Sequence, residues 1–201
     1  DAVYGTARGS FAELAVLPLT RLAPCPSSIT VEEAAAVPVS GLTALQALRK
    51  AGVGSGDRVL VVGASGGVGT FAVQLAVDLG ATVTGVSGPA KAEPVRSLGA
   101  ARVIDHTTTS LRDLEEQFDA ILDIGGHRSV AELRSLLTER GTLVIVGSEG
   151  GGRWLGGLER SVGAALPPPV LTQPVVLLVA SESAADLGAR NQRLRVHYLL
   201  E

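Results

Sequence analysis

One stretch constrains this chain more than any other: Val59-Leu60-Val61-Val62-Gly63-Ala64-Ser65-Gly66-Gly67-Val68-Gly69. An aliphatic run ends, with no polar spacer, on a cluster of glycines. The cluster opens directly into a pattern in which Val68, Phe71, Ala72, Leu75, Ala76 and Leu79 share one helical face before Gly80 stops it. A wholly apolar strand is one buried on both faces, and an amphipathic helix buries one side against a sheet. Strand, tight turn and helix in immediate succession are the opening of a parallel βαβ unit.

The same alternation continues. Residues 59–63, 82–86, 102–105, 120–124 and 142–146 read as buried strands, and 175–180 as a sixth on the sheet edge. Between them, Pro94 fits the first turn of a helix beginning near Glu93. Ser110 and Asp113 have capping-box spacing ahead of Leu111, Leu114 and Phe118, and Val130, Leu133 and Leu137 mark a helix ending before Gly141. The expected fold is α/β, a doubly wound parallel (Rossmann) sheet of about six strands. Ahead of it, Phe11, Leu14 and Val16 hint at extended structure. Thr30 and Glu33 open a short helix stopped by Pro38, and Leu42, Leu45 and Leu48 carry a second helix to Gly52. These fifty residues hold too few strands to close a barrel or sandwich of their own.

Composition narrows the functional classes. With 46% hydrophobic residues, 25 glycines, 10 prolines and 3% aromatics in 201 residues, the chain is neither disordered nor collagen-like. Twenty acidic against seventeen basic residues, a net charge of −3, give no footprint for nucleic acid or an anionic membrane. The longest apolar runs fall short of the ~18 residues of a spanning helix. The single cysteine, Cys25, closes no intramolecular disulfide and provides one sulfur where a zinc site needs several ligands, so neither is expected, and a cytoplasmic setting fits. His127 and His197 show no metal-ligand spacing with Cys25 or each other and default to surface or satisfied polar roles. The chain contains no methionine and begins Asp1-Ala2-Val3, which reads as a processed chain or one cut from something longer.

The glycine turn has a chemical reading. A pyrophosphate needs backbone N–H groups aimed at it with a helix N-terminus behind, and side chains at Gly66 and Gly67 would block that approach. Gly69 is spaced to let helix and strand pack closely. The usual G-x-G-x-x-G appears here as A-x-G-x-x-G, headed by Ala64. Positive φ alone is another reason for such glycines, but the strand before and the helix after favour a dinucleotide. In an NAD site an acidic residue about 20 positions on accepts from the ribose hydroxyls. Ser87 stands there instead, and no Asp or Glu occurs between Asp78 and Glu93. Lys91 would favour a 2'-phosphate that a carboxylate repels, so NADP(H) is expected ahead of NAD(H).

Three ordered motifs carry a resemblance: Ala34-Ala-Ala-Val-Pro38-Val-Ser-Gly41-Leu42-Thr43-Ala44, the Gly56 to Gly69 block, and Leu98-Gly-Ala-Ala-Arg-Val-Ile-Asp105. Together they resemble the medium-chain dehydrogenase/reductase superfamily (zinc-binding alcohol dehydrogenase-like), and within it the zinc-independent quinone-oxidoreductase-like branch, apparently as a truncated chain. The resemblance implies transfer of hydride from NADPH to a quinone, enone or related carbonyl compound. It implies residues 1–50 as the end of an incomplete substrate or catalytic domain and 51–187 as the NADP(H)-binding domain. Residues 188–201, with Arg190, Arg193 and Arg195, depart from the family pattern.

Carried onto this sequence, the resemblance places Ala64, Ser65, Gly66, Gly67, Val68 and Gly69 around the pyrophosphate, Ser87 and Lys91 at the adenosine phosphate, and His106 near the adenine. Gly125 with Val146, Gly147 and Ser148 would line the nicotinamide half, and Thr43 would approach the nicotinamide. No catalytic side chain is assigned. Asp123, at the end of a buried strand, reads as a structural acceptor for nearby backbone N–H groups ahead of a catalytic acid, and Trp154 as a lid or a loop anchor. The apolar edge at 175–180 invites strand pairing, and relatives dimerise through such edges, so a homodimer is expected. Alternatives to an enzyme are an NADPH-binding regulatory module without turnover and a structural fragment that dimerises through its edge strand.

Overall fold

The computed structural model describes residues 1–7, 9–146 and 173–189. A small antiparallel pair, β1 (Val3–Gly5) and β2 (Leu22–Pro24), precedes a long helix, α1 (Val31–Ala51). The alternating block follows as β3 (Arg58–Val62), α2 (Gly67–Asp78), β4 (Thr82–Ser87), α3 (Ala92–Ser97), β5 (Arg102–Asp105), β6 (Phe118–Asp123), α4 (Val130–Ser135) and β7 (Leu137–Val146). Then come β8 (Val175–Leu178) and α5 (Ala184–Ala189). Six strands form one sheet in the order β5-β4-β3-β6-β7-β8, with every neighbouring pair parallel. This is the doubly wound α/β sheet the apolar strands predict. From β3 the chain adds β4 and β5 on one side, then returns to add β6, β7 and β8 on the other.

The core divides across the sheet. On one face Val59 and Val61 of β3, Leu122 of β6 and Val144 of β7 pack with Phe71, Ala72 and Leu75 of α2 and Leu45 and Leu48 of α1. On the other, Leu60, Ile121, Leu143 and Ile145 pack with Phe118, Leu133 and Leu137. Alternating strand residues thus feed two separate cores, which is why the strands look apolar throughout.

Several expectations are corrected. The two helices around Pro38 are one, α1, running unbroken through it. Its start is fixed by a reciprocal capping box, Thr30 Oγ1 accepting from Glu33 N at 3.2 Å and Glu33 Oε2 from Thr30 N at 2.7 Å. At the other end the Gly52 N–H reaches back to the Arg49 carbonyl. A mid-helix proline costs ~3 kcal/mol. Here that cost is outweighed because Val37, Pro38, Leu42, Leu45 and Leu48 are all buried on the packed side.

The helix expected after Ser110 is a single 3-10 turn, Leu111–Asp113, in which Ser110 Oγ accepts from Arg112 N. Leu114 is already extended and Phe118 begins β6. Likewise α4 stops at Ser135 and Leu137 starts β7, because Phe118 N donates to the Leu136 carbonyl at 2.8 Å and draws that segment into the sheet. Phe11, Leu14 and Val16 form no strand and lie exposed; the strands of that region stand on either side of them.

The edge strand ends at Leu178 rather than at residue 180. Beyond it, the segment 181–187 is fastened to the first fifty residues. Gln46 reads the Ser181 backbone from both sides, Nε2 donating to the carbonyl at 2.7 Å and Oε1 accepting from the N–H at 2.9 Å. Asp186 pairs with Arg49, Glu182 with Arg21, and the Tyr4 hydroxyl donates to the Leu187 carbonyl at 2.8 Å.

Candidate functional site

The glycine turn between β3 and α2 is tied to both neighbouring strands. Gly63 N and Ala64 N both donate to the Val86 carbonyl of β4, at 3.2 and 3.0 Å. From the other side, Ile124 N and Gly125 N both donate to the Val62 carbonyl, at 3.0 and 3.1 Å. The turns that follow β3 and β6 therefore meet where the order of the sheet reverses.

At that meeting point Gly63 has φ of +86°, and a Cβ there would stand 2.9 Å from the Gly125 N. This explains the alanine at the head of the fingerprint. The left-handed conformation falls on Gly63, one residue earlier, and Ala64 needs none. Gly69 has a different reason: a Cβ on it would lie 2.1 Å from the Gly63 carbonyl oxygen and 2.8 Å from the Ala64 backbone. The close packing of helix on turn that its spacing predicts is present.

The first turn of α2 is open to a ligand. Gly66 is its N-cap and offers no side chain to satisfy it. Thr70 N donates to the Gly66 carbonyl and Thr70 Oγ1 to the Gly67 carbonyl, both at 2.9 Å, so the carbonyls are engaged. The N–H groups of Gly67, Val68 and Gly69 have no carbonyl one turn earlier in the helix to receive them. Gly66 and Gly67 are exposed, and a Cβ on Gly66 would meet nothing closer than 3.5 Å. Such an end favours negative charge.

Beside this turn lies a cleft of about 410 Å³ at the carboxyl ends of β3, β4, β5 and β6. Four of the residues singled out from sequence line it together, Ser65, Ser87, His106 and Gly125. Ser87 is buried, its hydroxyl donating to the Gly88 carbonyl at 3.2 Å. His106 follows β5, and its Nε2 lies 3.6 Å from where a Gly88 Cβ would be. Ala64 and Gly69 are buried behind the turn.

Others fall elsewhere. Lys91 is exposed on the 3-10 turn Pro89–Lys91, outside the cleft lining. Thr43 donates its hydroxyl to the Val39 carbonyl at 2.7 Å within α1 and does not line the cleft. From α1, the Ser40 side chain reaches the glycine turn, its Oγ 3.1 Å from where a Gly67 Cβ would be. Val146 is buried at the end of β7, away from the cleft lining. Gly147, Ser148, Trp154, His197 and the arginines of the tail lie outside the described residues. Asp123 is fully buried and accepts from Gly126 N at 3.1 Å, the structural role expected of it.

The cleft also has a wall that sequence reasoning missed. His127, read as a surface or satisfied polar residue, is exposed and borders it together with Arg128 and Glu132. Arg128 Nη1 is 3.3 Å from Glu132 Oε1, and Arg112 Nε is 4.0 Å from Glu132 Oε2. Ser129 caps α4 by accepting from Glu132 N at 3.2 Å. The signal was available as Ser129-x-x-Glu132 with an i,i+4 Arg–Glu pair. Its meaning depends on β6 lying beside β3, which the spacing alone does not give.

Asp105, just before His106, is held below the usual carboxylate range, first by the Thr107 N–H and then by the Thr107 hydroxyl, at 2.8 and 2.7 Å. Among the described residues, no group of three or more His, Cys, Asp or Glu side chains is placed to hold a metal ion. No helix among them is long and apolar enough to cross a membrane.

A six-stranded parallel sheet with a glycine turn, an uncapped helix start and a cleft at its reversal point defines a Rossmann-like α/β domain. Comparison with known proteins agrees. A family profile described as "Zinc-binding dehydrogenase" matches residues 67–156. The 2-methylene-furan-3-one reductase of Solanum lycopersicum is 37% identical over 140 residues, covering 69% of this chain and 36% of that enzyme. The quinone oxidoreductase structure from Coxiella burnetii superposes with a TM-score of 0.70 at 28% identity, covering 90% of this chain and 51% of the other. That of Thermus thermophilus, determined with its NADPH complex, gives 0.63 at 30% identity, covering 79% and 50%. The chain thus spans about a third of the length of that curated relative and half of each solved one. It belongs to the medium-chain dehydrogenase/reductase superfamily.

Proposed function

We propose that this chain is the cofactor-binding part of an NADP(H)-dependent oxidoreductase that passes hydride to a quinone, an enone or a related activated carbonyl compound. The observation that carries the reading is the glycine turn opening an uncapped α2 beside the cleft at the sheet's reversal point. The residues fit a dinucleotide. Gly66 and Gly67 leave the helix start bare for a pyrophosphate, and the absence of a carboxylate at Ser87 suits a phosphorylated ribose. Reduced nicotinamide supplies the hydride; the protein's part is to bind, orient and exclude water. Val68 and Gly69 present backbone N–H groups to the pyrophosphate, His106 borders the adenosine end, and Gly125 lets the ligand run close to the β6 turn. In this reading residues 1–50 are the end of the substrate domain and 51–187 the cofactor domain. The names of the relatives, a furanone reductase and quinone oxidoreductases, support the acceptor class.

Titration with NADPH, followed by nicotinamide fluorescence, is expected to give saturable binding tighter than for NADH. Absence of any dinucleotide binding would remove the proposal. Reduction of a quinone or enone in the presence of NADPH then distinguishes an enzyme from a binding module. The edge strand β8, with Leu177 47% exposed and Val179 beyond it 83% exposed, supports a homodimer joined at that edge. Sedimentation at micromolar concentration is expected to show a dimer, and a monomer would refute the pairing.

A further inference from the structure

We propose that Arg128, held at the cleft by Glu132, is the cation that selects the 2'-phosphate of NADPH over the free hydroxyl of NADH. The inference rests on the reading that this cleft takes a nicotinamide dinucleotide, and it assigns the specificity to a residue that the sequence did not suggest.

Preference for a 2'-phosphate needs two things near the end of β4, absence of a competing carboxylate and presence of a cation. Ser87 meets the first. Lys91, which the sequence offers for the second, stands on an exposed turn outside the cleft lining. Among the described residues that line the cleft, Arg128 is the one permanent cation and Glu132 the one carboxylate.

A carboxylate in such a cleft would ordinarily favour the ribose hydroxyls of NADH. Glu132 is not placed to do so. One of its oxygens meets Arg128 at 3.3 Å and the other faces Arg112 at 4.0 Å, so two guanidiniums share a single carboxylate. The three groups carry one net positive charge. The side chains of Glu132 and Arg128 are only 8% and 24% exposed, so this charge is less screened than that of a surface lysine. Asp105, the acid that precedes His106, is turned onto Thr107 by two hydrogen bonds. A guanidinium has five donors in a planar fork that matches phosphate oxygens. The Glu132 backbone is fixed by the Ser129 cap, which holds the arginine's partner in place. Glu132 is thus a positioning residue and Arg128 a binding residue.

The test is isothermal titration of the full chain and its Arg128→Gln and Arg128→Lys variants with 2',5'-ADP, 5'-AMP, NADPH and NADH. The wild type is expected to prefer 2',5'-ADP to 5'-AMP and NADPH to NADH. Arg128→Gln is expected to lose about ten- to hundredfold on the two 2'-phosphorylated ligands. Affinity for 5'-AMP and NADH should stay within about twofold, since neither uses a charge-assisted contact here. Arg128→Lys, which keeps the charge and loses the fork, is expected to fall between. Equal losses on phosphorylated and unphosphorylated ligands, or no loss at all, would overturn the assignment. Thermal melts of both variants report whether the fold is kept, and the lysine variant decides the matter if glutamine unfolds the chain. A wild type that binds NADPH and NADH alike refutes the role of Arg128 alone, whereas one that binds neither refutes the dinucleotide reading itself.

Discussion

Replacing Gly69 by alanine isolates the packing on which the whole glycine turn depends. The new Cβ would stand 2.1 Å from the Gly63 carbonyl oxygen and 2.8 Å from the Ala64 Cα and carbonyl carbon. Carbon and oxygen approach no closer than ~3.3 Å without strain, so helix and turn must separate by about 1 Å. Nothing flexible is there to give way, because all three atoms are backbone and the turn is pinned to Val86 on one side and to the β6 turn on the other. The helix would have to yield, drawing Phe71, Ala72 and Leu75, all buried, away from the sheet. Overpacking of this kind costs about 1–3 kcal/mol, and a gap of 0.5–1 Å forfeits roughly a quarter to a half of each dispersion contact. Alanine recovers up to ~1 kcal/mol of helix propensity, less in a first turn. The net expectation is a loss of about 1–2 kcal/mol, which lowers Tm by roughly 2–8 °C for a chain of this size.

Gly67→Ala is the control. Its Cβ would meet only the Ser40 side chain, the hydroxyl at 3.1 Å and the Cβ at 4.0 Å, and a hydroxyl can rotate away. Its melt is expected to stay within about 0.5 kcal/mol of wild type. Differential scanning fluorimetry with urea titration on both variants reads the difference. If Gly69→Ala melts at or above the wild type, or together with Gly67→Ala, the argument that Gly69 is required by close approach fails.

Three further outcomes are expected. Thr30→Ala removes one half of the α1 capping box and should lower stability by about 1 kcal/mol, measured by urea unfolding; an unchanged midpoint would mean that packing alone fixes the helix start. Asp123→Ala takes a buried acceptor from Gly126 N and should cost about 1–3 kcal/mol, whereas a neutral result would contradict its structural role. Asp105 is held below its ordinary range by Thr107, so its contribution is complete above the unfolded carboxylate value near pH ~4 and is lost as pH falls through the lower folded value. The Tm difference between wild type and Asp105→Asn should therefore be present at pH 7 and shrink below about pH 4; a gap that is constant with pH would refute the pairing.

What was legible in the sequence follows the range of the forces involved. The strand, turn and helix from Arg58 to Asp78 could be read because every determinant is local: strand residues buried on both faces, a glycine that takes positive φ, and a helical face that meets the sheet. Pro38 shows where a local rule yields. The rule ends a helix there, and in the structure the buried side from Val37 to Leu48 carries α1 through. Phe118 and Leu137 show a second limit, since apolar residues at helical spacing were in fact buried strand positions joined through Leu136. The cleft wall at Arg128 and Glu132 lies furthest from local reading. Its sequence signs, a cap and an i,i+4 ion pair, describe any surface helix start. They acquire a chemical meaning only because β6 pairs with β3 and not with β5, the strand before it in the chain, which sets the turn after Asp123 against Gly63. Had β6 been added beside β5, the same residues would flank a sheet edge. Strand order, which no local pattern encodes, is what turns an ordinary ion pair into a candidate specificity element.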